Sequence, residues 1–189
     1  MLSTSMRQQD ERKRYVCFIE AYLHSVLRKL SSLVMSCYVT FGGYRNRKRI
    51  TRNAIEWFFQ HRKLNRFNTF VHIIDRRLWP EDDGTCLSID QLSRPRYFEI
   101  EMENRLDNGE QYLTTLFHEL THVEQRLRGD HSQRFAHRHT DKVFIENRWK
   151  GEVVPKETAY MDEPWEIDAY AREKVLYKEY REYEANLKD

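Results

Sequence analysis

Apolar positions recur at helical spacing in four parts of the chain, and the first two lie in its N-terminal third. From about Gln8 to Ser36 the apolar residues step by three and four, which predicts a long amphipathic helix that lies across a sheet. A second helix is expected from Arg52 to Gln60, with Thr51 as its N-cap. The residues of this helix that should face the core are Ile55, Phe58 and Phe59.

Two further helices are predicted in the C-terminal half. One follows the break at Asn108-Gly109 and should end at Gly129. The other starts at Asp162-Glu163-Pro164-Trp165, where an acidic residue caps the helix and proline occupies its first turn, and runs to about Glu184. The residues that share one face near its start are Glu166, Ala169 and Tyr170. The small alanine would let this helix approach the preceding one closely.

Shorter segments with strand character lie between the helices. Cys37 to Phe41 and Phe70 to Asp75 are rich in β-branched and aromatic residues. From Phe98 to Glu103 apolar residues alternate strictly with glutamates, so one face of this strand should be buried and the other wet and acidic. We expect this strand to form a wall of any cleft beside the next helix. The remaining predicted segments are a loop from Trp79 to about Arg96 and a hairpin that joins Val143–Glu146 to Gly151–Val154.

Length and composition favour one domain without a membrane-spanning segment. The chain has 189 residues, of which 33% are charged, and its apolar runs are far shorter than the ~20 residues of a transmembrane helix. Residues 1–5 lead directly into a polar stretch, so we expect no signal peptide and a cytoplasmic, intracellular location. Cys17, Cys37 and Cys86 form neither a disulfide framework nor a zinc knuckle, which indicates packed thiols in a reducing compartment.

Charge gives a weak indication of partners. The net charge of +2 does not demand a nucleic-acid partner, although Arg45 to Arg52 contains five cations in eight residues. A solvated loop that leads into a helix is the simpler interpretation of this run.

The residues His118-Glu119-Leu120-Thr121-His122 form an H-E-x-x-H motif on the third predicted helix. Residues four apart share one helical face, so both imidazoles can reach one metal ion with Glu119 beside them. Two histidines, a third protein ligand and an open position for a water of pKa about 7 suit Zn²⁺, and Glu119 would then be the general base. The alternative is a pair of surface histidines, but apolar residues on both sides of the motif favour a packed helix.

A third metal ligand must come from outside the motif. The metzincin extension requires glycine at position 125 and histidine at 128, but the chain has Gln125 and Arg128, which excludes that class. A carboxylate at Glu166 would complete a His-His-Glu site. The other candidate ligands are His131, His137, His139, Glu163 and Asp168. The candidates for an oxyanion-stabilising donor are Tyr170, Tyr160 and His131, and those for orienting the imidazoles are Asp168 and Asp162.

The second half of the chain resembles the SprT-like and related metallopeptidases that are often encoded by phages. The resemblance rests on His118–Gln125, on Trp149-Lys150-Gly151 and on Pro164–Tyr170. It implies an α+β, zincin-like fold, in which a small sheet with an acidic-faced edge strand packs on the H-E-x-x-H helix beside long N-terminal and C-terminal helices. Residues 1–65 would form a helical scaffold, and residues 66–189 would form the zincin core of the same domain.

The resemblance also bears on the third ligand. In gluzincin-type members the glutamate of the Pro-Trp-Glu sequence is a zinc ligand, which corresponds to Glu166. SprT and Spartan proteins instead use a third histidine followed by small and aromatic residues, and the run from His131 to Phe135 is similar to that pattern.

We therefore expect a zinc-dependent metallopeptidase that cleaves a protein or peptide substrate. Its expected metal ligands are His118, His122 and Glu166, and its expected catalytic residues are Glu119 and Tyr170. One alternative is a DNA-associated, Spartan-like protease that contacts phosphates through Arg45–Arg52 or Arg126–Arg138. Others are a catalytically silent zinc-binding interaction protein and a metal-free helical module. No membrane partner is expected, the oligomeric state is open, and a phage-encoded protein would act in the host cytoplasm.

Overall fold

The structure is a computed structural model that describes residues 37–43, 47–78, 82–90, 94–107, 109–137 and 143–187. The helix predicted at 8–36, Cys17 and His139 lie outside the described residues. The described part of the chain is a mixed α+β fold with three helices and two small sheets.

A four-stranded sheet forms the base of the fold. Its strands are β1 (Cys37–Gly43), β2 (Thr69–Arg76), β3 (Gly84–Ser88) and β4 (Tyr97–Glu103), in the order β1-β2-β4-β3. Strand β2 pairs in parallel with both β1 and β4, whereas β3 pairs with β4 in the antiparallel direction. The strands predicted at Cys37–Phe41, Phe70–Asp75 and Phe98–Glu103 are confirmed. The antiparallel strand β3 lies at the edge of the sheet.

Two predictions about this sheet are wrong. The segment Gly84–Ser88 was expected to be part of a loop, but it pairs with β4 and takes the edge position predicted for the acidic strand. The acidic face of β4 is not wet, because Glu101 and Glu103 are 5% and 3% exposed. Arg76 forms an ion pair with Glu101, and Arg105 donates hydrogen bonds to Glu103. These arginines compensate the free-energy cost of burying the carboxylates. A pattern of polar and apolar positions does not reveal such pairing.

The three helices are α1 (Lys48–His61), α2 (Glu110–Arg128) and α3 (Pro164–Asn186), with short 3-10 turns at Asn65–Phe67 and Tyr160–Asp162. Thr51 is not the N-cap of α1, because the helix starts one turn earlier and the Thr51 hydroxyl donates to the Arg47 carbonyl at 2.9 Å. The predicted start of α3 is confirmed, with Glu163 at the N-cap and Pro164 in the first turn. Gly129 ends α2 with φ of 80°, a conformation that glycine adopts without strain.

The hydrophobic core joins the helices to the sheet. Ile55, Phe58 and Phe59 of α1 are fully buried, as predicted. They belong to one cluster with the apolar residues of β2, β4 and α2, and the end of α3 adds Tyr180. The Trp57 ring lies 5.4 Å from that of Phe117 and 5.2 Å from that of Tyr180, so it connects all three helices. The metal-motif helix is therefore packed on several sides, as the apolar flanks of the motif indicated.

A second sheet follows α2. Its strands are β5 (His131–His137), β6 (Val143–Trp149) and β7 (Glu152–Val153), all antiparallel. The hairpin predicted around Trp149-Lys150-Gly151 is confirmed, although β7 is shorter than expected and β5 was not predicted. No helix in the described ranges is both long and apolar enough to cross a membrane.

Candidate metal centre

The motif residues lie on the packed middle of α2. His118, Glu119 and His122 are 6%, 5% and 9% exposed, so the side chains are largely withdrawn from bulk water. The two imidazole rings are 4.9 Å apart, and their Nε2 atoms approach to 3.2 Å. Helical spacing alone brings the rings to one face, but the close approach of two nitrogens requires a shared partner or proton.

The first turn of α3 brings Glu166 to these histidines. Its Oε2 lies 3.2 Å from His118 Nε2, and its Oε1 lies 3.3 Å from His122 Nε2. The start of α3 contacts Gln125 near the end of α2, and Glu173 further along α3 contacts His118 earlier in α2, so the two helices run antiparallel. Ala169 lies in this contact and is fully buried, as expected for a small residue between two closely packed helices. Glu166 is itself 5% exposed.

The dimensions of this group fit a tetrahedral zinc ion. Tetrahedral coordination with metal–ligand bonds of about 2.0–2.1 Å places ligand atoms about 3.3–3.4 Å apart. The two Nε2 atoms are 3.2 Å apart, and each lies 3.2–3.3 Å from a different oxygen of Glu166, so one ligand atom from each residue lies within 4.8 Å of the others. The donor set of two imidazoles and one carboxylate is also one that zinc takes. These three residues could therefore hold a metal ion.

The outer nitrogen of each imidazole is held by a different kind of group. Glu173 lies about two turns beyond Glu166 on α3, and its Oε2 is 2.9 Å from His118 Nδ1. Gln125 Oε1 is 3.0 Å from His122 Nδ1. The Gln125 amide nitrogen donates to Asp168 Oδ2 at 2.9 Å and to the Trp165 carbonyl at 2.9 Å. Such contacts to the outer nitrogen fix the orientation of ligating histidines.

The predicted orienting residues are only partly among these contacts. Asp168 reaches His122 through Gln125 rather than directly. Glu173 was not predicted, although its position seven residues after Glu166 places it on the same face of the helix.

Two tyrosines lie beside the group. The Tyr160 hydroxyl donates to Glu166 Oε2 at 2.9 Å, so it holds the carboxylate rather than facing open space. The Tyr170 ring packs edge-on against His118 with a centroid distance of 4.5 Å and is 42% exposed. Burial raises the pKa of both phenols above the ordinary value. Both are therefore protonated at neutral pH, and Tyr170 lies on the open side of the site.

His131 is buried nearby but does not join the metal group. Its ring stacks on that of Trp165 at 4.0 Å with an interplanar angle of 6°. Neither ring nitrogen has a hydrogen-bond partner within the described part of the chain. Burial, followed by the charges of Arg126 and His122, lowers the pKa of His131 to about 3, so the ring is neutral at physiological pH. Glu163 and Asp168 are likewise outside the group of mutually close ligand atoms.

The electrostatics of the site separate the roles of Glu119 and Glu166. Burial raises the pKa of Glu119 to about 7, although His122 and His118 pull it down. Burial also disfavours ionised Glu166, but hydrogen bonds from His118 and His122 hold its pKa well below the ordinary range. Burial lowers the pKa of His118, yet its bonds to Glu166 and Glu173 outweigh that effect and raise it to about 9. Glu166 is thus a fixed anion, whereas Glu119 can exchange a proton near neutral pH.

The group opens into an elongated cleft whose floor is one face of α2. Strand β3 forms one wall with Gly84, Thr85 and Cys86, and the first turns of α3 form the other. Carboxylates, including Asp82, Asp83, Asp107 and Glu110, line the end beside the N-terminus of α2. Arg126 and His131 line the opposite end. Lys174 of α3 is a further cation in the lining. These four carboxylates and Arg126 are thus separated along the helix that carries the motif.

Gly84 brings β3 unusually close to the motif glutamate. A Cβ atom at this position would lie 2.9 Å from Glu119 Oε1 and 2.9 Å from Thr115 Cγ2. Both contacts are shorter than real Cβ contacts, so the wall approaches Glu119 only because residue 84 has no side chain.

A buried ion network joins α2 to α3 behind the site. The Glu124 side chain is 2% exposed and pairs with Arg62, Arg128 and Arg172. Arg172 also donates to Asp168 at 3.1 Å, which connects the network to the amide that holds His122. The arginines keep the pKa of Glu124 below its ordinary value despite burial.

Several cations of the predicted basic runs have partners inside the protein. Arg47 is 9% exposed, donates to the Asn104 carbonyl at 3.0 Å and stacks on the Tyr112 ring. Arg128 is paired with Glu124.

Comparison with known proteins gave no match to a family model, a curated protein or a solved structure.

Proposed function

We propose that the protein is a zinc-dependent peptidase of the gluzincin type. The observation that carries the proposal is the convergence of His118, His122 and Glu166 to within 3.2–3.3 Å of one another at the floor of an open cleft. Glu119 lies in the same cleft with a pKa near neutrality, which suits a general base. The substrate class that fits such a site is a protein or peptide in extended conformation.

The proposal includes a zincin-like arrangement of the sheet. Strand β3 forms the outer edge of the four-stranded sheet and a wall of the cleft. Among the described strands it pairs only with β4, so its other edge offers backbone groups to an extended peptide. This role was predicted for the strand that turned out to be β4, and we now assign it to β3.

Each residue of the site then has a defined part in hydrolysis. Zinc, when bound by His118, His122 and Glu166, supplies a Lewis acid that acidifies water and polarises the scissile carbonyl. Glu119 accepts a proton from the attacking water and later returns it to the leaving amine. The Tyr170 hydroxyl, on the open side of His118, donates to the oxygen on which negative charge develops. Tyr160 and Glu173 hold Glu166 and His118 in place.

The first test is the metal content of the protein without an affinity tag. Mass spectrometry should find about one zinc per chain in the wild type and in His131→Ala, but little or none in His122→Ala and Glu166→Ala. His131→Ala is a matched control, because His131 is a buried histidine of the same cleft outside the ligand group. A wild-type protein that binds no zinc even when it is supplied would overturn the proposal.

The second test separates catalysis from metal binding. Glu119→Gln should retain zinc but lose at least a hundredfold in turnover of a mixed peptide library, because a general base contributes about 10²–10⁴ to the rate. Tyr170→Phe should retain zinc and lose turnover with little change in KM. If Glu119→Gln has wild-type turnover, the hydrolysis comes from another source, and a silent zinc-binding protein becomes the better description.

A further inference from the structure

At the end of the cleft opposite the acidic residues lies an arginine that has no anionic partner. Arg126 is one helical turn beyond the metal-site histidine His122, on the cleft face of α2, and it lines the cleft. Its Nη1 donates a long hydrogen bond of 3.3 Å to Ser88 Oγ. Nε and Nη2 have no hydrogen bond or ion pair within the described residues, and of the two only Nε is buried, so Nη2 is the unpartnered nitrogen that remains accessible.

The surroundings of Arg126 do not neutralise its charge. Burial raises the pKa of the neighbouring Cys86 thiol, which therefore stays uncharged. His131 is neutral as well, and it closes this end of the cleft together with the Trp165 ring on which it stacks. By contrast, each of the partly buried arginines Arg62, Arg128 and Arg172 is paired with a carboxylate. Arg126 is thus a partly buried cation with no directly paired carboxylate in the described part of the chain.

Part of the C-terminal turn of α2 is satisfied within the chain. Two of its last four carbonyls, at Gln125 and Arg126, accept hydrogen bonds from the backbone N–H groups of Asp130 and Gly129. They are therefore satisfied locally and do not present free oxygens to the cleft.

We propose that Arg126 is a substrate-binding residue that recognises a carboxylate of the peptide substrate through the Nη1–Nη2 end of its guanidinium, because Nε is buried and Nη2 is not. This inference rests on the proposed peptidase function. Two parallel N–H groups match the two oxygens of a carboxylate, which makes such pairs geometrically specific. The acidic residues at the other end of the cleft repel the same carboxylate, so the cleft orients the substrate along α2.

The position of Arg126 limits which carboxylate is bound. Four residues of α-helix separate Arg126 from the metal-site residue His122 by about 6 Å, and an extended peptide advances about 3.3 Å per residue. The carboxylate therefore belongs to a residue one or two positions from the scissile bond. It is either the C-terminal carboxylate, which would make the protein an exopeptidase, or an acidic side chain within a longer peptide.

The test measures binding rather than turnover. Zinc-loaded Glu119→Gln protein is titrated calorimetrically with N-acetyl-trialanine as the free acid and as the C-terminal amide. A second pair consists of amidated tetrapeptides with aspartate or asparagine at one internal position. The acid of one pair should bind at least tenfold more tightly than its neutral partner, and the pair that shows the difference identifies the source of the carboxylate.

Variants in the same background assign the effect to Arg126. Arg126→Gln should remove the preference for the acid, and Arg126→Lys, which keeps the charge but not the two parallel donors, should retain only part of it. Lys178→Gln removes an exposed cation of α3 outside the cleft and should leave the acid-to-neutral ratio unchanged. Melting curves verify that each variant is folded.

The outcomes separate the two proposals. If zinc is present and peptides are cleaved, but acids and neutral analogues bind equally, the carboxylate site is refuted and the peptidase proposal stands. If the acid is preferred and Arg126→Gln abolishes the preference, while no peptide is cleaved by the protein with Glu119 restored, the binding site stands and the peptidase proposal fails.

Discussion

Substituting Gly84 by alanine tests the contact between the edge strand and the motif glutamate. The added Cβ would lie 2.9 Å from Glu119 Oε1, whereas a relaxed carbon–oxygen contact needs about 3.3–3.5 Å. The Glu119 carboxylate must therefore shift by about half an ångström, because the Gly84 backbone is held by its pairing with Met102 of β4.

The expected loss follows from the size of this shift. A misplacement of about 1 Å in a reacting group costs about a hundredfold in rate, so half that distance should lower kcat roughly tenfold, or about 1.4 kcal/mol. Zinc content should not change, because none of the three ligands is among the nearest atoms to the added Cβ. The fold should tolerate the change, since residue 84 does not adopt a positive φ that would exclude alanine.

Turnover of a fluorogenic peptide and zinc content would be measured on the same preparations. Gly109→Ala is the matched control, because its added Cβ meets no atom closer than 3.4 Å and should leave kcat near the wild-type value. If Gly84→Ala binds one zinc, melts like the wild type and keeps full activity, the close approach of β3 to Glu119 has no part in catalysis.

Three further predictions concern the groups that support the site. Glu173→Gln should weaken zinc binding by about 10–100-fold in a chelator competition, because it removes the carboxylate from His118. Glu179→Gln should not, because the half-buried Glu179 carboxylate pairs with His61 instead. Glu124→Gln should lower the free energy of unfolding by about 2 kcal/mol at pH 7. The pKa of Glu124 is lower in the folded state than in the unfolded state, so its ion pairs stabilise the fold above about pH 4.3 and this contribution is lost as the pH falls further. Urea unfolding should therefore show that the difference in free energy of unfolding between the wild type and Glu124→Gln shrinks below that pH. Zinc at a hundred times its Kd should raise the free energy of unfolding by about 2.7 kcal/mol, and Glu166→Ala should show no such increase.

The sequence could predict those features of the site that depend on residues close to one another along the chain. His118 and His122 are one helical turn apart. The end of the helix could be predicted at Gly129, because glycine tolerates the positive φ of a helix C-terminus. The start of α3 was predictable for the same reason, because Pro164 suits the first turn of a helix.

The third candidate ligand could not be chosen from the local sequence alone. Glu166 lies 44 positions after His122 (166 − 122), and His131 lies only nine positions after it (131 − 122). The choice depends on how two distant elements pack. The structure places Glu166 against the imidazoles and stacks His131 on Trp165 instead. The family resemblance named Glu166, but the packing of α3 on α2 is the physical reason for its position.

The errors in the sheet have a similar origin. Strand β3 has the sequence Gly-Thr-Cys-Leu-Ser after two aspartates, which carries turn signals and little alternation, and it is a strand because β4 offers it a partner. The glutamates of β4 are buried because Arg76 and Arg105 reach them, and such pairing depends on tertiary contacts. Interactions between distant residues thus decided which strand became the edge of the sheet and the wall of the cleft.

Gln125 shows how one departure from a known motif acquires a structural role. Its amide nitrogen donates to two acceptors on α3, the Trp165 carbonyl and Asp168, so its Oε1 must be the atom that faces His122 Nδ1. An oxygen there accepts a hydrogen bond, which requires that His122 Nδ1 carry a proton, and Nε2 is then the ring nitrogen directed toward Glu166 and His118, the one that would bind a metal ion. The same amide ties α2 to the residue that precedes Glu166. A glycine at position 125, as the metzincin pattern requires, would provide neither contact, so Gln125 couples the tautomer of one histidine to the placement of the carboxylate beside it.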